Sequence, residues 1–266
     1  MIIYRAGNYK KFTNQVEGKK VLILGSGPSA RDVDWKNVDF DLLLTTSFFY
    51  LNNDVVSMKP RHVSLSKLVD LKNPVLNKFL EDNPDCTVSF EPKIHRVKSY
   101  AGSCGHPSLS IYPSFKQFFE YFDITDENND DLFFQCFQQI HKFYGSSDFR
   151  LFFKKFRHQI LFFRAEGGLE GLAGRIIWPV FDSKPSKIYL CGVDGFSKDW
   201  TKDPKNYFRS HQGTPDKHYT HSDFKKSFQS YGKKIYSTSK ISKIPVVNLG
   251  KGFDYNLITP ISEMYE

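Results

Sequence analysis

The run KVLIL at Lys20–Leu24 stops abruptly at GSGPS over 25–29. A short apolar stretch closed by glycine and proline fits a strand buried on both faces, which a parallel sheet covered by helices provides. It predicts a strand over Lys20–Leu24, a tight loop over 25–29, and a helix beginning near Pro28. Proline suits a first helical position because its missing N–H would be unpaired there anyway. Further strands are expected at 41–45, 62–65, 86–90, Lys187–Cys191 and 245–249. Helices are expected at 68–81 (interrupted by Pro74), 114–122, 131–144, 148–164, from Gly168 to Trp178, and 222–237. This alternation implies a Rossmann-like, doubly wound α/β fold, with a mainly parallel sheet, helices on both faces and a lid segment. Residues 1–18 read as a polar, irregular N-terminal extension. Residues 19–266 read as one α/β domain with a helical insertion at 113–164 and a polar, aromatic lid at 195–221.

A chain of 266 residues suits one α/β domain with insertions, or two small domains. Its 40% hydrophobic and 25% charged residues exclude a disordered, collagenous or coiled-coil chain. No apolar run approaches the roughly 18 residues of a membrane span. The opening MIIYRAGNYKK has no signal-peptide core, so the expectation is a cytoplasmic chain starting at Met1. The four cysteines, Cys86, Cys104, Cys136 and Cys191, are scattered with no CxxC pair, which excludes a disulfide scaffold and a zinc finger. No H-x-x-x-H motif is present, and neither the D-x-D pairs at 32–34 and 39–41 nor the acidic run at 123–131 is read as a structural metal site. The net charge of +8 suits anionic partners (nucleotides, nucleic acid or an acidic membrane surface), and it equally fits a merely basic cytoplasmic protein.

Gly25, Gly27 and Ala30 match G-x-G-x-x-A, the loop whose glycines permit close backbone approach and whose helix N-terminus attracts phosphate. A dinucleotide site also needs an acid near the end of the second strand to hold a ribose, and this strand ends in Thr45, Thr46 and Ser47. Nicotinamide and flavin are therefore disfavoured; a phosphate-bearing nucleotide donor or a plain tight turn remains. Aromatic residues make up 16% of the chain, with 26 Phe. In the 148–164 segment, Phe149, Phe152, Phe153, Phe156, Ile160 and Phe163 share one helical face, opposite Lys154, Lys155, Arg157 and His158. Such a face packs on a core or lies on an anionic bilayer. Nucleic acid ranks behind both, because no nucleic-acid-binding motif accompanies it.

Five segments together resemble one family: VLILGSGPSARDVDW at 21–35, FDLLLTTSFFYL at 40–51, KIYLCGVDGF at 187–196, HYTHS at 218–222 and ITPISEMY at 258–265. Their order and spacing are similar to those of the bacterial sialyltransferases of glycosyltransferase family 42, which build sialylated lipooligosaccharides. The resemblance covers roughly 20–50, 160–222 and 256–265. It implies an inverting transfer of sugar from a nucleotide-sugar donor, CMP-linked in the family, to a glycan or lipid-linked glycan acceptor. His221 falls on the family's general base, with His218 as its rival, and Arg164 falls on its active-site arginine. Gly167 and Gly168 occupy its donor turn. Gly25, Ser26, Gly27, Pro28, Ser29, Thr46 and Asp194 fall on or beside its donor site. Tyr207 and Arg209 lie in the lid that neutralises the leaving group. The chain departs from the pattern at Ser26 and Thr46, where the family has asparagines, and at Phe196, where it has a lid tyrosine. No cofactor is implied, though Mg²⁺ can accompany the donor phosphates. A homo-oligomer and a peripheral contact with the inner membrane face are compatible with the family. A more distant resemblance, through the glycine loop and the G-x-D strand, is to hydroxymethylpterin pyrophosphokinase-like proteins. It implies Mg²⁺-dependent pyrophosphoryl transfer, and a non-catalytic nucleotide-binding relative is the third alternative.

Overall fold

Val21, Leu22, Ile23 and Leu24 are wholly buried in a strand flanked on each side by a parallel neighbour, the environment that an unbroken aliphatic run demands. The computed structural model describes residues 3–66, 69–90, 134, 142–165, 172–193, 232 and 234–250. The fold is α/β, with strands β1 (Ile3–Gly7), β2 (Lys20–Leu24), β3 (Leu42–Thr46), β4 (His62–Ser64), β5 (Thr87–Phe90), β6 (Ile160–Ala165), β7 (Lys187–Cys191) and β8 (Val246–Asn248). The helices are α1 (Tyr9–Val16), α2 (Asn53–Ser57), α3 (Pro74–Asp82), α4 (Lys142–Gly145), α5 (Ser147–Phe156) and α6 (Leu172–Asp182), and residues 234–242 are also helical. The chain divides into two compact units, Met1–Phe12 with Leu65–Glu166, and Thr13–Ser64 with Gly167–Glu266.

The second unit holds the strand order β4-β3-β2-β7-β8, every pairing parallel. From β2 the chain steps outward through β3 and β4, then re-enters on the other side of β2 as β7 and steps outward to β8. The change of direction falls between β2 and β7. The crevice at the carboxyl ends of two such strands is where open α/β sheets take their ligands. Helix α6 packs on β2, β3 and β4, with Ile176, Ile177 and Val180 wholly buried.

The first unit has the order β1-β6-β5, with β1 antiparallel to β6 and β5 parallel to it. Its core is built of phenylalanine. Phe90 meets Phe149 edge-on at 5.2 Å and Phe152 at 6.1 Å, Tyr144 meets Phe149 at 5.0 Å, and Phe134 meets Phe153 at 5.2 Å. Edge-to-face geometry sets the positive rim of one ring against the negative face of the next, adding about 0.5–1.5 kcal/mol per pair to the burial itself. Side-chain amides stitch the periphery. Asn8 Nδ2 donates to the carbonyls of Arg157 (2.9 Å) and Ile160 (2.8 Å), and Gln159 Nε2 donates to those of Leu80 (3.0 Å) and Asn83 (2.8 Å).

Several elements differ from the sequence reading, each for a local reason. The supposedly irregular N-terminal segment forms β1 and α1, the helix burying Tyr9, Phe12 and Val16 along one face. Pro74 begins α3 instead of interrupting a longer helix, because Asn73 Oδ1 caps the backbone N–H groups of Val75 (2.9 Å) and Leu76 (3.3 Å). Helix α6 runs past Trp178 to Asp182, with Pro179 inside it. The helix expected over 148–164 ends at Phe156, and Ile160–Ala165 is a strand. Ile160 continues the helical spacing only by coincidence; the run ILFF is apolar at every position, which marks a strand buried on both faces. Phe149, Phe152, Phe153 and Phe156 are all buried, so the phenylalanine face of α5 serves the core and is closed to a bilayer.

His62 opens β4 opposite Leu44 and is wholly buried, and burial pushes its pKa down to about 3. The folded chain therefore holds it neutral, whereas the unfolded chain protonates it below about 6.5. Stability is unaffected by this group above that pH and falls, by about 1.4 kcal/mol per unit, as pH drops from about 6.5 toward 3. Urea unfolding at pH 6.5 and 5.0 should show a loss of about 2 kcal/mol from this residue, and His62→Leu should flatten the slope whatever its absolute stability.

Candidate functional site

At the crevice between β2 and β7 the two strand ends are joined through glycine. Gly25 donates its N–H to the carbonyl of Cys191 at 2.8 Å, and Gly27 donates to that of Gly192, also at 2.8 Å. A Cβ on Gly25 would lie 2.3 Å from the Gly192 oxygen, and one on Gly192 would lie 2.5 Å from the Gly25 oxygen and 3.0 Å from the Ala30 Cβ. Real Cβ atoms do not approach backbone so closely, and Gly192 also has φ +64°, which side-chain-bearing residues rarely adopt. Gly25 and Gly192 are thus required by the backbone contact itself. Gly192 was not among the candidate site residues, although the sequence showed it as the glycine of the G-x-D motif that ends the apolar strand.

The chain beyond the loop differs from expectation. In place of a helix starting at Pro28 there is a four-residue 3₁₀ turn, Pro28–Arg31, followed by a second short turn at Trp35–Asn37 that buries Trp35. The Asp32 N–H closes the first turn on the Ser29 carbonyl (3.1 Å), and the chain then leaves helical geometry. So short a turn carries little of the dipole that draws phosphate to a true helix N-terminus. That part of the case for the G-x-G-x-x-A loop falls away.

Hydroxyl groups line the ends of the neighbouring strands β3 and β4. Thr45, paired with Leu24, donates its Oγ1 to the Leu24 carbonyl (3.0 Å), and Ser47 donates to the Ser64 carbonyl (3.4 Å). Ser29 and Thr46 are each only 2% exposed. Ser26 is half-buried and, among the described residues, makes no hydrogen bond; the Thr46 hydroxyl likewise has no partner among them. Donors without partners beside a crevice are what an anionic ligand requires. No carboxylate stands in the Thr45–Ser47 run to take a ribose diol.

Of the residues expected at a site, the structure brings together Gly25, Ser26, Gly27, Pro28, Ser29 and Thr46 at the ends of β2 and β3. Arg164 lies on β6 opposite Tyr4 of β1 instead of ending a helix. Gly167, Gly168, Asp194, Tyr207, Arg209, His218 and His221 lie outside the described residues, as does Phe196. Among the described residues no three His, Cys, Asp or Glu side chains group as a metal set, and no helix is long and apolar enough to cross a membrane.

Among solved structures, the chain is similar to the sialyltransferase CstII from Campylobacter jejuni in complex with the substrate analogue CMP-3FNeuAc. The identity is 15% and the TM-score 0.45, over 91% of this chain and 86% of that one. It is also similar to the monofunctional alpha-2,3-sialyltransferase Cst-I from Campylobacter jejuni, at 14% identity and a TM-score of 0.49, over 91% of this chain and 80% of that one. No protein-family model and no curated protein matches it.

The two hydroxyls of the mouth should separate cleanly by mutation. Thr45→Val removes a buried hydrogen bond and leaves the Leu24 carbonyl short of a donor, which should cost about 1–2 kcal/mol in urea unfolding. Ser26→Ala removes nothing that the folded chain uses, and should leave stability within about 0.5 kcal/mol of wild type.

Proposed function

We propose that the chain is an inverting glycosyltransferase of the sialyltransferase type, taking a sugar from a nucleotide-sugar donor, CMP-linked, to a glycan or lipid-linked glycan. The observation that carries this reading is the G-x-G-P-S loop standing at the change of strand direction with the donors of Ser26 unpartnered and no carboxylate at the end of β3. The ordered motifs of the sequence, from the loop to the HYTHS segment and the ITPISEMY tail, supply the reaction class.

In this reading the acceptor oxygen bonds to the anomeric carbon of the donor as the bond from that carbon to the phosphate oxygen breaks. His221 takes the acceptor's proton, a task suited to a group titrating near neutral pH. Meeting the negative charge that gathers on the leaving phosphate is the task of Tyr207 and Arg209. The resemblance gives Arg164, whose planar guanidinium suits phosphate, a catalytic role; Ser26 binds the donor phosphate equally before and during transfer. Thr46, Gly167, Gly168 and Asp194 complete the donor site. No metal is needed for these steps, although Mg²⁺ can travel with the donor. The net charge of +8 suits an anionic donor and, for a lipid-linked acceptor, an anionic membrane surface.

A thermal-shift screen against CMP, CMP-sialic acid, UDP- and GDP-sugars, ATP and GTP, each with and without Mg²⁺, tests the reading. A ligand at 100 times its dissociation constant stabilises the fold by about 2.7 kcal/mol, a readily visible shift. The expected outcome is a metal-independent shift with cytidine nucleotides and a turnover that His221→Ala lowers by about 10²–10⁴-fold. A shift with ATP or GTP only when Mg²⁺ is present overturns this reading in favour of pyrophosphoryl transfer, and binding without turnover overturns it in favour of a non-catalytic module.

A further inference from the structure

We propose that Gly192 is a positioning residue of the nucleotide site: the end of β7 anchors the loop on both sides of Ser26 and so fixes a residue whose donors are open to an anion. This rests on the nucleotide-binding reading above.

The geometry assigns the two glycine N–H groups of the loop to β7. Gly25 donates to Cys191 and Gly27 to Gly192, each at 2.8 Å, and neither N–H is left for a phosphate. The Ala30 N–H is taken as well, by the Gly27 carbonyl at 3.2 Å. In a dinucleotide-binding loop the glycines let the backbone approach the pyrophosphate; here the close approach is made to a neighbouring strand's carbonyl. Ser26 stands between the two anchored glycines, half-buried, with its N–H and hydroxyl unpartnered among the described residues. Its placement is therefore set by two hydrogen bonds that it does not itself make.

Gly192 can hold this arrangement only as glycine. Its φ of +64° presents the carbonyl to Gly27, and a methyl group would stand 2.5 Å from the Gly25 oxygen and 3.0 Å from the Ala30 Cβ. An alanine must push the two strand ends apart, and displacements of about 1 Å at such a site cost up to about 10²-fold in function. The residue touches the ligand nowhere in this scheme and acts through Ser26.

The test combines amide exchange with binding, using CMP as the probe. In free wild-type protein the Gly27 amide should exchange slowly and the Ser26 amide fast, and added CMP should slow Ser26 while leaving Gly27 unchanged. Gly192→Ala should speed Gly27 exchange, leave the amides of β2 protected, and weaken CMP binding by about tenfold or more. In turnover of CMP-sialic acid its KM should rise while kcat is kept, a split that general destabilisation does not produce. Gly27 exchanging as fast as Ser26 in the free wild type, or a Gly192→Ala variant binding CMP like wild type, overturns the positioning role. If Gly192→Ala does not fold, the wild-type exchange pattern with and without CMP decides. Wild-type protein that protects Gly27 but does not bind CMP overturns the nucleotide reading, and with it the role that depends on it.

Discussion

The second unit is organised around two strand ends that come too close for any side chain. Strands β2 and β7 lie side by side in register, Leu24 opposite Cys191, so the first residues beyond them must meet head-on. With a Cβ at Gly25 or Gly192, the loop after β2 would have to lift away from the end of β7. Without one, the backbones close to hydrogen-bonding distance and the crevice between them takes a definite floor. The parallel order of this unit, the burial of β2 and the placement of the loop all meet at that contact. A chemistry of anions suits the result, because the groups left open there are donors and the Thr45–Ser47 run at the end of β3 carries no carboxylate.

The first unit solves its packing differently. Where β2 uses aliphatic side chains, the cluster around Phe149 uses rings from β5, β6, α4 and α5, several of them set edge against face. Rings fill volume with few rotatable bonds, so the loss of side-chain freedom per unit of buried area is small. Basic residues of α5 and its C-cap are partly engaged with this cluster: Lys155 pairs with Glu81 and lies over the Phe156 ring at 5.2 Å, and Arg157, the C-cap, lies over Phe153 at 5.6 Å. What reads in the sequence as an amphipathic basic helix is a helix whose apolar side is wholly engaged within its own unit.

How much was legible in the sequence follows from how each signal arises. The strands β2, β3, β5 and β7 were found to within a residue or so, since apolar runs bounded by glycine or polar residues have few other meanings. The loop at 25–29 was found for the same reason, and its role as a turn was visible in its glycines. Three things were not legible. Beyond Pro28 a helix and a 3₁₀ turn begin alike, and only the tertiary anchoring of Trp35 distinguishes them. At 148–164 a helix and a strand adjoin with their apolar positions in helical step, so periodicity alone read one long element. Gly192 matters because of a neighbour that is remote in the sequence, and a lone glycine announces no partner. The proposed base and lid residues rest on motif likeness, and their support remains in the sequence.

The pairing of β1 with β6 also bears on how the chain is made. Ile3 lies opposite Ala165 and Gly7 opposite Leu161, so among the described residues β1 has no strand partner until β6 has been synthesised. Until then β1 is an unpaired, partly apolar edge, and the loop to be closed runs from Gly7 to Ile160. The first unit can therefore complete its sheet only late in synthesis. The strands β2, β3 and β4, close together in sequence, have all emerged well before that point, although β7 must still arrive to close their other side. Order of synthesis and order of assembly run against each other at β1, which settles only after a strand that follows it at long range in the chain.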